Sequence, residues 1–184
     1  MALSFEKFPK IPRRKNVFMV VTEKLDGTNA QINIPADPDE ALLVGSRNRV
    51  ITPGKDTDNF GFAQWVSENE PMLRRLGPGR HYGEWWGPGI GPRNYGLTEK
   101  RFSLFDVSRY RNGLPEGVPV SLVPVLLIHS PDMNALDAAL NKLRTEGSVA
   151  APGFMNPEGA VVNIDGVVWK EIFDKSGPSP EEGN

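Results

Sequence analysis

A lysine and an aspartate lie two positions apart in the stretch EKLDGTN, residues 23–29, which follows an apolar run at residues 17–22. The apolar run predicts a buried strand, so the amine of Lys24 would be partly desolvated at its end. Removing water from a lysine favours the neutral amine, whose lone pair can attack an electrophile. Asp26 would favour the charged amine instead, so it would orient Lys24 or serve a neighbouring group. Gly27 permits a left-handed turn or the close approach of a ligand.

An isolated Lys-x-Asp-Gly is more often a solvent-facing lysine beside a surface turn, and here a Gly-Thr-Asn turn is expected after Asp26. Four further charged residues, however, stand at the edges of apolar segments. They are Glu84 in HYGEWWG, Asp106 in RFSLFDV, Glu158 in PEGAVV and Lys170 in VVWKEIF. An unused charge beside a buried strand costs stability. For Glu158 and Lys170 a charged ligand would explain such a charge, whereas each of the five positions alone is a weak signal.

Taken in order, Lys24, Glu84, Asp106, Glu158 and Lys170 resemble the nucleotidyltransferase motifs of covalent ligases and capping enzymes. The closer resemblance is to ATP-dependent RNA ligases of the phage-type, nick-sealing kind. EKLDGTN is similar to the nucleophile motif of that family, and GSRNR, residues 45–49, to its arginine-bearing motif. NFGFAQWVSEN, residues 59–69, resembles the helix that follows. The resemblance extends from residue 17 to about residue 175.

The resemblance implies a three-step reaction that uses ATP as the AMP donor and Mg²⁺ or Mn²⁺ as the cation. The Lys24 amine would attack the α-phosphate of ATP and release pyrophosphate, leaving a lysyl-AMP intermediate. AMP would pass to a 5′-phosphate, and a 3′-hydroxyl would then displace it. The implied partners are RNA ends or a nicked duplex, without a membrane. We expect a monomer in the cytoplasm of a bacterial or phage-infected cell.

The resemblance also implies a role for individual side chains. Lys24 is the nucleophile, and Lys170 offsets charge at the α-phosphate. Glu84 accepts a hydrogen bond from a ribose hydroxyl. Phe105 stacks on adenine, although a core phenylalanine is a serious alternative. Glu158, and with it Asp106, holds the cation through carboxylate oxygens.

Further nucleotide contacts are implied around the nucleophile. Arg47 or Arg49 would bind phosphate through the guanidinium group. Asn29 would face the 3′-hydroxyl or a phosphate, and stabilisation of a turn is an equal alternative for it. The full implied set of nucleotide-binding residues is Glu23, Asp26, Gly27, Asn29, Arg47, Arg49, Glu84 and Phe105.

Two features depart from the family pattern. The last motif has one lysine, Lys170, where the family usually has two, and Lys175 is the nearest other lysine. No separate C-terminal domain is expected after the last motif, so a partner protein could supply additional contacts to the nucleic acid. Three other functions stay open: a DNA ligase, a stand-alone adenylyltransferase with the same lysine chemistry, and a nucleotide-binding module without turnover.

The surrounding pattern predicts an α+β fold, with one nucleotidyltransferase (adenylation) domain over residues 1–175 and a flexible tail at 176–184. Apolar runs and alternation predict strands at residues 17–22, 30–34, 42–46, 81–86, 101–107, 118–128, 159–164 and 167–173. Helices are predicted at residues 59–76 and 132–146. Asp165-Gly166 predicts a hairpin. These elements would form mostly antiparallel sheets flanked by helices, with the ATP cleft between the sheets.

The composition limits the classes of protein to which the chain can belong but does not indicate a function. The 184 residues are 39% hydrophobic and 24% charged, and the net charge of −2 does not indicate nucleic acid. Residues 1–111 carry 17 Lys and Arg against 13 Asp and Glu, whereas residues 112–184 carry 4 against 10. A basic face on the first part could meet phosphates. The absence of cysteine excludes disulfides and thiolate metal sites. The sequence shows neither a signal peptide nor an apolar run of membrane-spanning length.

Overall fold

The computed structural model of the chain describes Lys7 and residues 17–173. Within that part of the chain, nine strands and two α-helices form two sheets with a helix against each, so the predicted α+β fold is confirmed. The strands are β1 Met19–Lys24, β2 Gly27–Ile34, β3 Leu43–Ser46, β4 Gly79–Trp86, β5 Arg101–Leu104, β6 Ser121–Leu122, β7 Val125–His129, β8 Gly159–Ile164 and β9 Val167–Ile172. The helices are α1 Phe62–Leu73 and α2 Met133–Glu146, and a 3₁₀ helix at Arg74–Leu76 extends α1. Lys175 and the predicted tail lie outside the described residues.

The first sheet has the strand order β7-β1-β8-β9, and all of its pairs are antiparallel. Alternate residues of β1 and β8, including Met19, Val21 and Val162, are fully buried against Leu136 and Leu140 of α2. The intervening residues, such as Val20 and Thr22, therefore lie on the opposite face, as the two-residue period of a strand requires.

The second sheet has the order β3-β2-β4-β5-β6, with antiparallel pairs except between β5 and β6. Its buried face packs on α1 through Ile32, Trp85 and Phe102, which meet Phe62. Trp86 points to a third cluster with Tyr95. The two adjacent tryptophans, Trp85 and Trp86, thus pack in two different hydrophobic clusters on opposite faces of β4.

The connection between β1 and β2 differs from the expected turn. Gly27, Thr28 and Asn29 are the first residues of β2, so only Leu25 and Asp26 separate the two strands. The alternation of residues 30–34 also predicts that this strand pairs with residues 17–22, and that pairing is wrong, because β1 and β2 lie in different sheets. The two-residue connection carries the chain from one sheet to the other.

Two predicted elements are shorter than the sequence pattern suggests. Helix α1 begins at Phe62 because Phe60 and Gly61 have positive φ angles of 53° and 81°. The Asp58 carboxylate instead accepts hydrogen bonds from the backbone nitrogens of Ala63 and Gln64. Strand β5 ends at Leu104, before the predicted end of its segment at residue 107.

The single strand predicted at residues 118–128 is two strands in different sheets. Ser121 and Leu122 form β6 in the second sheet, whereas β7 begins at Val125 in the first sheet. Pro124 lies at the break, where a proline cannot donate to a strand ladder. Its carbonyl accepts a hydrogen bond from the backbone nitrogen of Glu23.

The helix at Met133–Glu146 and the hairpin of β8 and β9 match their predictions. The Asp132 carboxylate caps α2 by accepting from the nitrogens of Asn134 and Ala135. Asp165 and Gly166 both have positive φ, 52° and 87°, as a tight two-residue hairpin turn requires. No helix in the described residues is both long and apolar enough to cross a membrane.

Candidate functional site

A cleft of about 660 Å³ lies between the two sheets. The open face of the first sheet forms one wall, and the ends of β2, β4 and β5 form the other. Of the residues predicted for the site, those that line the cleft are Glu23, Lys24, Gly27, Asn29, Arg47, Glu84 and Phe105.

Lys24, the last residue of β1, forms an ion pair with Glu158, which directly precedes β8. The distance from its Nζ to Glu158 Oε2 is 2.7 Å, and the side chains are 24% and 16% exposed. Strand pairing explains the contact, because Lys24 lies opposite Gly159 in the β1–β8 ladder. The pair therefore places a primary amine against a carboxylate in a partly desolvated position.

Glu23 precedes the nucleophile candidate, but its carboxylate points away from the cleft. It is 1% exposed and accepts hydrogen bonds from Ser148 Oγ at 2.5 Å and from the backbone nitrogens of Val149 and Ala150 at 2.8 and 2.9 Å. Burial raises the pKa of Glu23, against the lowering effect of these hydrogen bonds. Its side chain therefore anchors a loop beneath β1, which leaves its backbone as the part that can meet a ligand.

Glu84 is the buried carboxylate of the opposite wall. It accepts a hydrogen bond from Asn29 Nδ2 at 3.2 Å, and Arg47 Nε donates to Asn29 Oδ1 at 3.0 Å. The pKa of Glu84 is raised to about 7, chiefly by burial; the charges of Glu158 and Asp26 also raise it, whereas Lys24 and the Gly27 backbone lower it. Asn29 thus links an exposed arginine at the cleft mouth to a carboxyl group that titrates near neutral pH.

Asp26 is held by two residues that the sequence analysis did not identify. Arg93 Nη1 donates to Asp26 Oδ2 at 2.8 Å, and the Asp26 backbone nitrogen donates to the Tyr95 hydroxyl at 2.7 Å. Arg93 Nε also donates to the carbonyl of Asn156 at 2.9 Å. Arg93 therefore joins the β1–β2 connection to the segment that leads to Glu158. It sits in a loop without periodicity, so no sequence pattern points to it.

Gly27 is required by the sheet rather than by a turn. A Cβ at this position would overlap the Trp85 carbonyl oxygen and lie 2.8 Å from the Trp86 Cβ. The close approach predicted for Gly27 is thus made by the neighbouring strand β4. The same contact brings Glu84 within reach of the β1–β2 connection.

Phe105 is exposed at the cleft wall and is not a core residue. Its side chain is 41% exposed, and the facing wall carries the apolar residues Val20, Val161 and Val168. An aromatic ring opposite aliphatic side chains can hold a flat heterocycle between them.

Lys170 lies on the open face of the first sheet, two residues after the cleft-lining Val168 and opposite Val161 of β8. Its side chain is exposed, and no hydrogen bond or ion pair of its amine occurs among the described residues. Lys170 does not line the cleft itself but lies beside its wall, with its amine unpartnered among the described residues.

Asp106 and Arg49 do not line the cleft. Asp106 accepts hydrogen bonds from Ser108 Oγ and the Arg109 backbone nitrogen, at 2.7 and 3.0 Å. Burial raises the pKa of Asp106, but these hydrogen bonds outweigh that effect and the pKa is lowered overall. Arg49 donates to the carbonyls of Thr57 and Asp58 and so supports the loop before α1. Asp106 instead lines a neighbouring cavity, together with Phe105, and Arg49 is engaged by the loop before α1.

The carboxylates of Glu84 in the cleft and of Glu158 beside Lys24 suit a cation that is shared with a ligand. No group of three or more His, Cys, Asp or Glu that could hold a metal occurs in the part of the chain that the structure describes. Magnesium bound together with phosphates needs only one or two carboxylates. Glu158 is partly buried beside Glu84, so its oxygen donors fit such a shared site.

A family model described as RNA ligase matches residues 17–176. The chain belongs to the RNA ligase family. The match covers β1 to β9 and so includes both walls of the cleft. No curated protein matches the chain significantly.

Solved structures of a Naegleria gruberi RNA ligase share the fold. An apo form of a variant has a TM-score of 0.59 at 22% identity, and it covers 86% of this chain and 50% of its own. A variant with AMP and Mn has a TM-score of 0.58 at 21% identity, covering 85% of this chain and 49% of its own. The chain therefore spans about half the length of these structures.

Proposed function

We propose that the chain catalyses ATP-dependent ligation of RNA, with Lys24 as the residue that becomes adenylylated. The observation that carries the proposal is that Lys24 and Glu84 line one cleft and that Glu158 contacts the Lys24 amine at 2.7 Å. Membership of the RNA ligase family supplies the reaction class. The Naegleria structures bound to ATP or AMP with Mn support the same choice of nucleotide and cation.

The first step is an in-line displacement at phosphorus. Lys24 Nζ forms a bond to the α-phosphorus of ATP, the bond from that phosphorus to the bridging oxygen breaks, and pyrophosphate leaves. The amine must also lose a proton. Its nearest acceptor is the carboxylate of Glu158, at 2.7 Å. Most of the acceleration of this step comes from positioning the amine and the α-phosphate and from neutralising the charge that develops on the phosphates.

The cleft walls suit the nucleoside. The adenine ring would lie between Phe105 and the aliphatic face formed by Val161 and Val168. Glu84 would accept a hydrogen bond from a ribose hydroxyl, held in place by its contact with Asn29. This orientation directs the α-phosphate toward Lys24, because Glu84 and Lys24 lie at the same end of the cleft.

The phosphates would meet cations from both walls. Lys170 is free to contact the α-phosphate, and Arg47 at the cleft mouth keeps unused guanidinium donors beyond its bond to Asn29. Glu158 would hold a divalent cation together with the phosphates. When bound, such a cation withdraws charge from the phosphoryl oxygens and from the leaving pyrophosphate.

The later steps follow from the family. AMP would pass from Lys24 to the 5′-phosphate of an RNA strand, and a 3′-hydroxyl would attack that phosphate and release AMP. The 2′-hydroxyl of the last nucleotide offers a contact that DNA lacks, so RNA at the 3′-hydroxyl end is the expected substrate.

Self-adenylylation with α-labelled ATP and Mg²⁺ tests the proposal. Mass spectrometry should find AMP on a peptide containing Lys24, and Lys24→Ala should abolish the label. Lys142→Ala is the matched control, because Lys142 is exposed and its amine forms a surface ion pair with Glu146 at 3.8 Å. An adduct that persists in Lys24→Ala would disprove the assignment.

Nicked duplexes test the acceptor. Substrates that differ only in the sugar of the last 3′-hydroxyl nucleotides should be sealed better when that end is RNA. Equal sealing of an all-DNA nick would favour a DNA ligase. Self-adenylylation without sealing of any nick would favour an adenylyltransferase.

A further inference from the structure

A second cavity of about 450 Å³ opens beside the cleft. We call it the side pocket and define it by Arg80, Tyr82, Phe105, Asp106 and Arg109, which line it. Phe105 also lines the cleft, as do Val20, Val107 and Asn163 of the side pocket. The two cavities therefore share a wall and form one continuous surface.

Strand β4 places the side pocket in line with the candidate site. Glu84, Tyr82 and Arg80 alternate along β4 and so project from one face of the second sheet. Their partners on β2 are the polar residues Asn29, Gln31 and Asn33. A polar row thus runs from Glu84 in the cleft to Arg80 at the far end of the strand.

Two exposed aromatic residues, Tyr82 and Phe105, are backbone neighbours where the cleft and the side pocket join. Tyr82 is 49% exposed and Phe105 is 41% exposed. The backbone nitrogen of Phe105 donates to the carbonyl of Tyr82 at 3.0 Å, so the two residues are direct neighbours. If Phe105 faces adenine in the cleft, Tyr82 remains as a separate stacking surface on the other side.

Two arginines give the side pocket its charge. Arg109 donates to the carbonyls of Pro78 and Arg80 and lies over the Tyr110 ring, which fixes its guanidinium group. The Arg80 side chain makes one hydrogen bond, of 3.5 Å to the Tyr82 hydroxyl, and neither arginine is paired with a carboxylate among the described residues. Asp106 is the acidic residue of the side pocket, and its carboxylate already accepts hydrogen bonds from Ser108 Oγ and from the Arg109 backbone nitrogen. The pocket therefore offers net positive charge beside an exposed ring.

We propose that the side pocket binds a single-stranded segment of the RNA substrate, with one base stacked on Tyr82 and a phosphate bound by Arg80 and Arg109. A ring with neighbouring guanidinium groups is the combination that binds unpaired nucleotides without sequence preference. The proposal rests on the proposed function for the identity of the polynucleotide. It adds a binding site that is separate from the site of AMP transfer.

Binding of a fluorescent, 5′-phosphorylated single-stranded RNA to the full chain, followed by anisotropy across a salt series, tests the side pocket. Tyr82→Ala should weaken binding about 5- to 100-fold, and Tyr82→Phe should bind like the parent because the ring is kept. Arg80→Gln should lower the steepness of the salt dependence by about 0.7, as expected for one lost phosphate contact on a single strand. Arg111→Gln is the matched control, since Arg111 is exposed and lies outside the side pocket.

Self-adenylylation measured on the same variants separates this proposal from the proposed function. Tyr82→Ala and Arg80→Gln should label with AMP at the parent rate. Parent-like RNA affinity in both variants, or a parent that binds no RNA, would overturn the side-pocket proposal. Loss of labelling with unchanged RNA affinity would assign the pocket to ATP instead and overturn it as well. Absence of labelling in the parent would contradict the proposed function alone, because RNA binding is measured independently.

Discussion

Lys24 Nζ and Glu158 Oε2 lie 2.7 Å apart although 134 positions separate the two residues in the chain. The contact depends on the β1–β8 ladder, which sets Lys24 opposite Gly159. A slip of one residue would turn Lys24 toward α2 and Glu23 toward the cleft. The register of this one strand pair therefore decides which charged residue faces the cleft.

We predict that Glu158→Gln and Lys170→Ala lose self-adenylylation by about 100-fold or more, the cost of removing one preorganised electrostatic contact. Lys170 is exposed, so Lys170→Ala should keep a Tm near that of the parent. Glu158→Gln leaves the partly buried amine of Lys24 without its partner and should therefore lower the Tm. Quench-flow labelling and thermal melts check the two expectations. Lys142→Ala controls for loss of a surface lysine. Normal labelling by both variants would show that neither residue acts on the phosphates.

Arg93 is predicted to position Lys24 and Glu158 without touching the nucleotide. Its side chain is 8% exposed and its partner Asp26 is 18% exposed, so loss of either charge leaves the other partly buried and unpaired. Arg93→Gln should therefore lower the free energy of unfolding by roughly 3 kcal/mol. It should also slow adenylylation while the KM for ATP changes little, since Arg93 does not line the cleft.

A double-mutant cycle with Asp26→Asn tests this role of Arg93. The double variant should be no less stable than the weaker single variant, because both changes remove the same pair. Arg93→Lys keeps the charge but lacks the second donor that reaches the Asn156 carbonyl, so it should recover only part of the rate. Additive effects of the two single changes would show that Arg93 and Asp26 act separately.

Gly159 is predicted to be indispensable to the β8–β9 hairpin next to Glu158. Its φ is +146°, and a Cβ there would overlap the carbonyl oxygen of Glu171. Gly159→Ala should cost roughly 2–5 kcal/mol through backbone strain and overpacking together. Gly113→Ala is the control, because Gly113 has a positive φ of 98° but open space around it. Urea unfolding that shows equal losses for the two variants would remove the clash as the cause.

The sequence predicts the elements that have local signals and misses those that depend on the sheets. The Asp165-Gly166 hairpin and the helix capped by Asp132 follow from short-range chemistry, and both occur. The assignment of β1 and β2 to different sheets does not follow from short-range chemistry, because two alternating apolar segments do not show whether they pair with each other. Pro124 indicates a break between two strands, but the apolar residues on both sides of it favour one continuous strand.

The candidate site shows the same division. Lys24, Glu84 and Phe105 stand in motifs, and the structure places all three at the cleft. The direction of the Glu23 carboxylate follows from strand alternation, since it is the neighbour of Lys24 on β1. Arg93 could not be found in this way, because a buried arginine in an irregular loop is recognised only by its partners.

Glu84 is predicted to make both stability and nucleotide binding depend on pH. Burial raises the pKa of Glu84 from 4.5 to about 7, so the folded chain holds a proton on this carboxyl that the unfolded chain has lost. The contribution to stability is thus fully present below pH 4.5 and is lost as the pH rises through about 7. With about 1.4 kcal/mol for each pH unit, the loss is on the order of 3 kcal/mol. Glu84→Gln should therefore be about as stable as the parent at pH 5 and more stable at pH 8, which thermal melts at both pH values check.

Nucleotide binding should change in the opposite direction to stability, because the charged carboxylate is the stronger acceptor for a ribose hydroxyl. The apparent affinity of the parent for ATP should increase as the pH rises through about 7, and that of Glu84→Gln should stay flat. An ATP analogue that cannot transfer AMP allows the affinity of both proteins to be measured at equilibrium with Lys24 in place, which matters because Lys24 itself lowers the pKa of Glu84. A parent affinity that is independent of pH between 5 and 8 would show that Glu84 does not bind the nucleotide through its charged form.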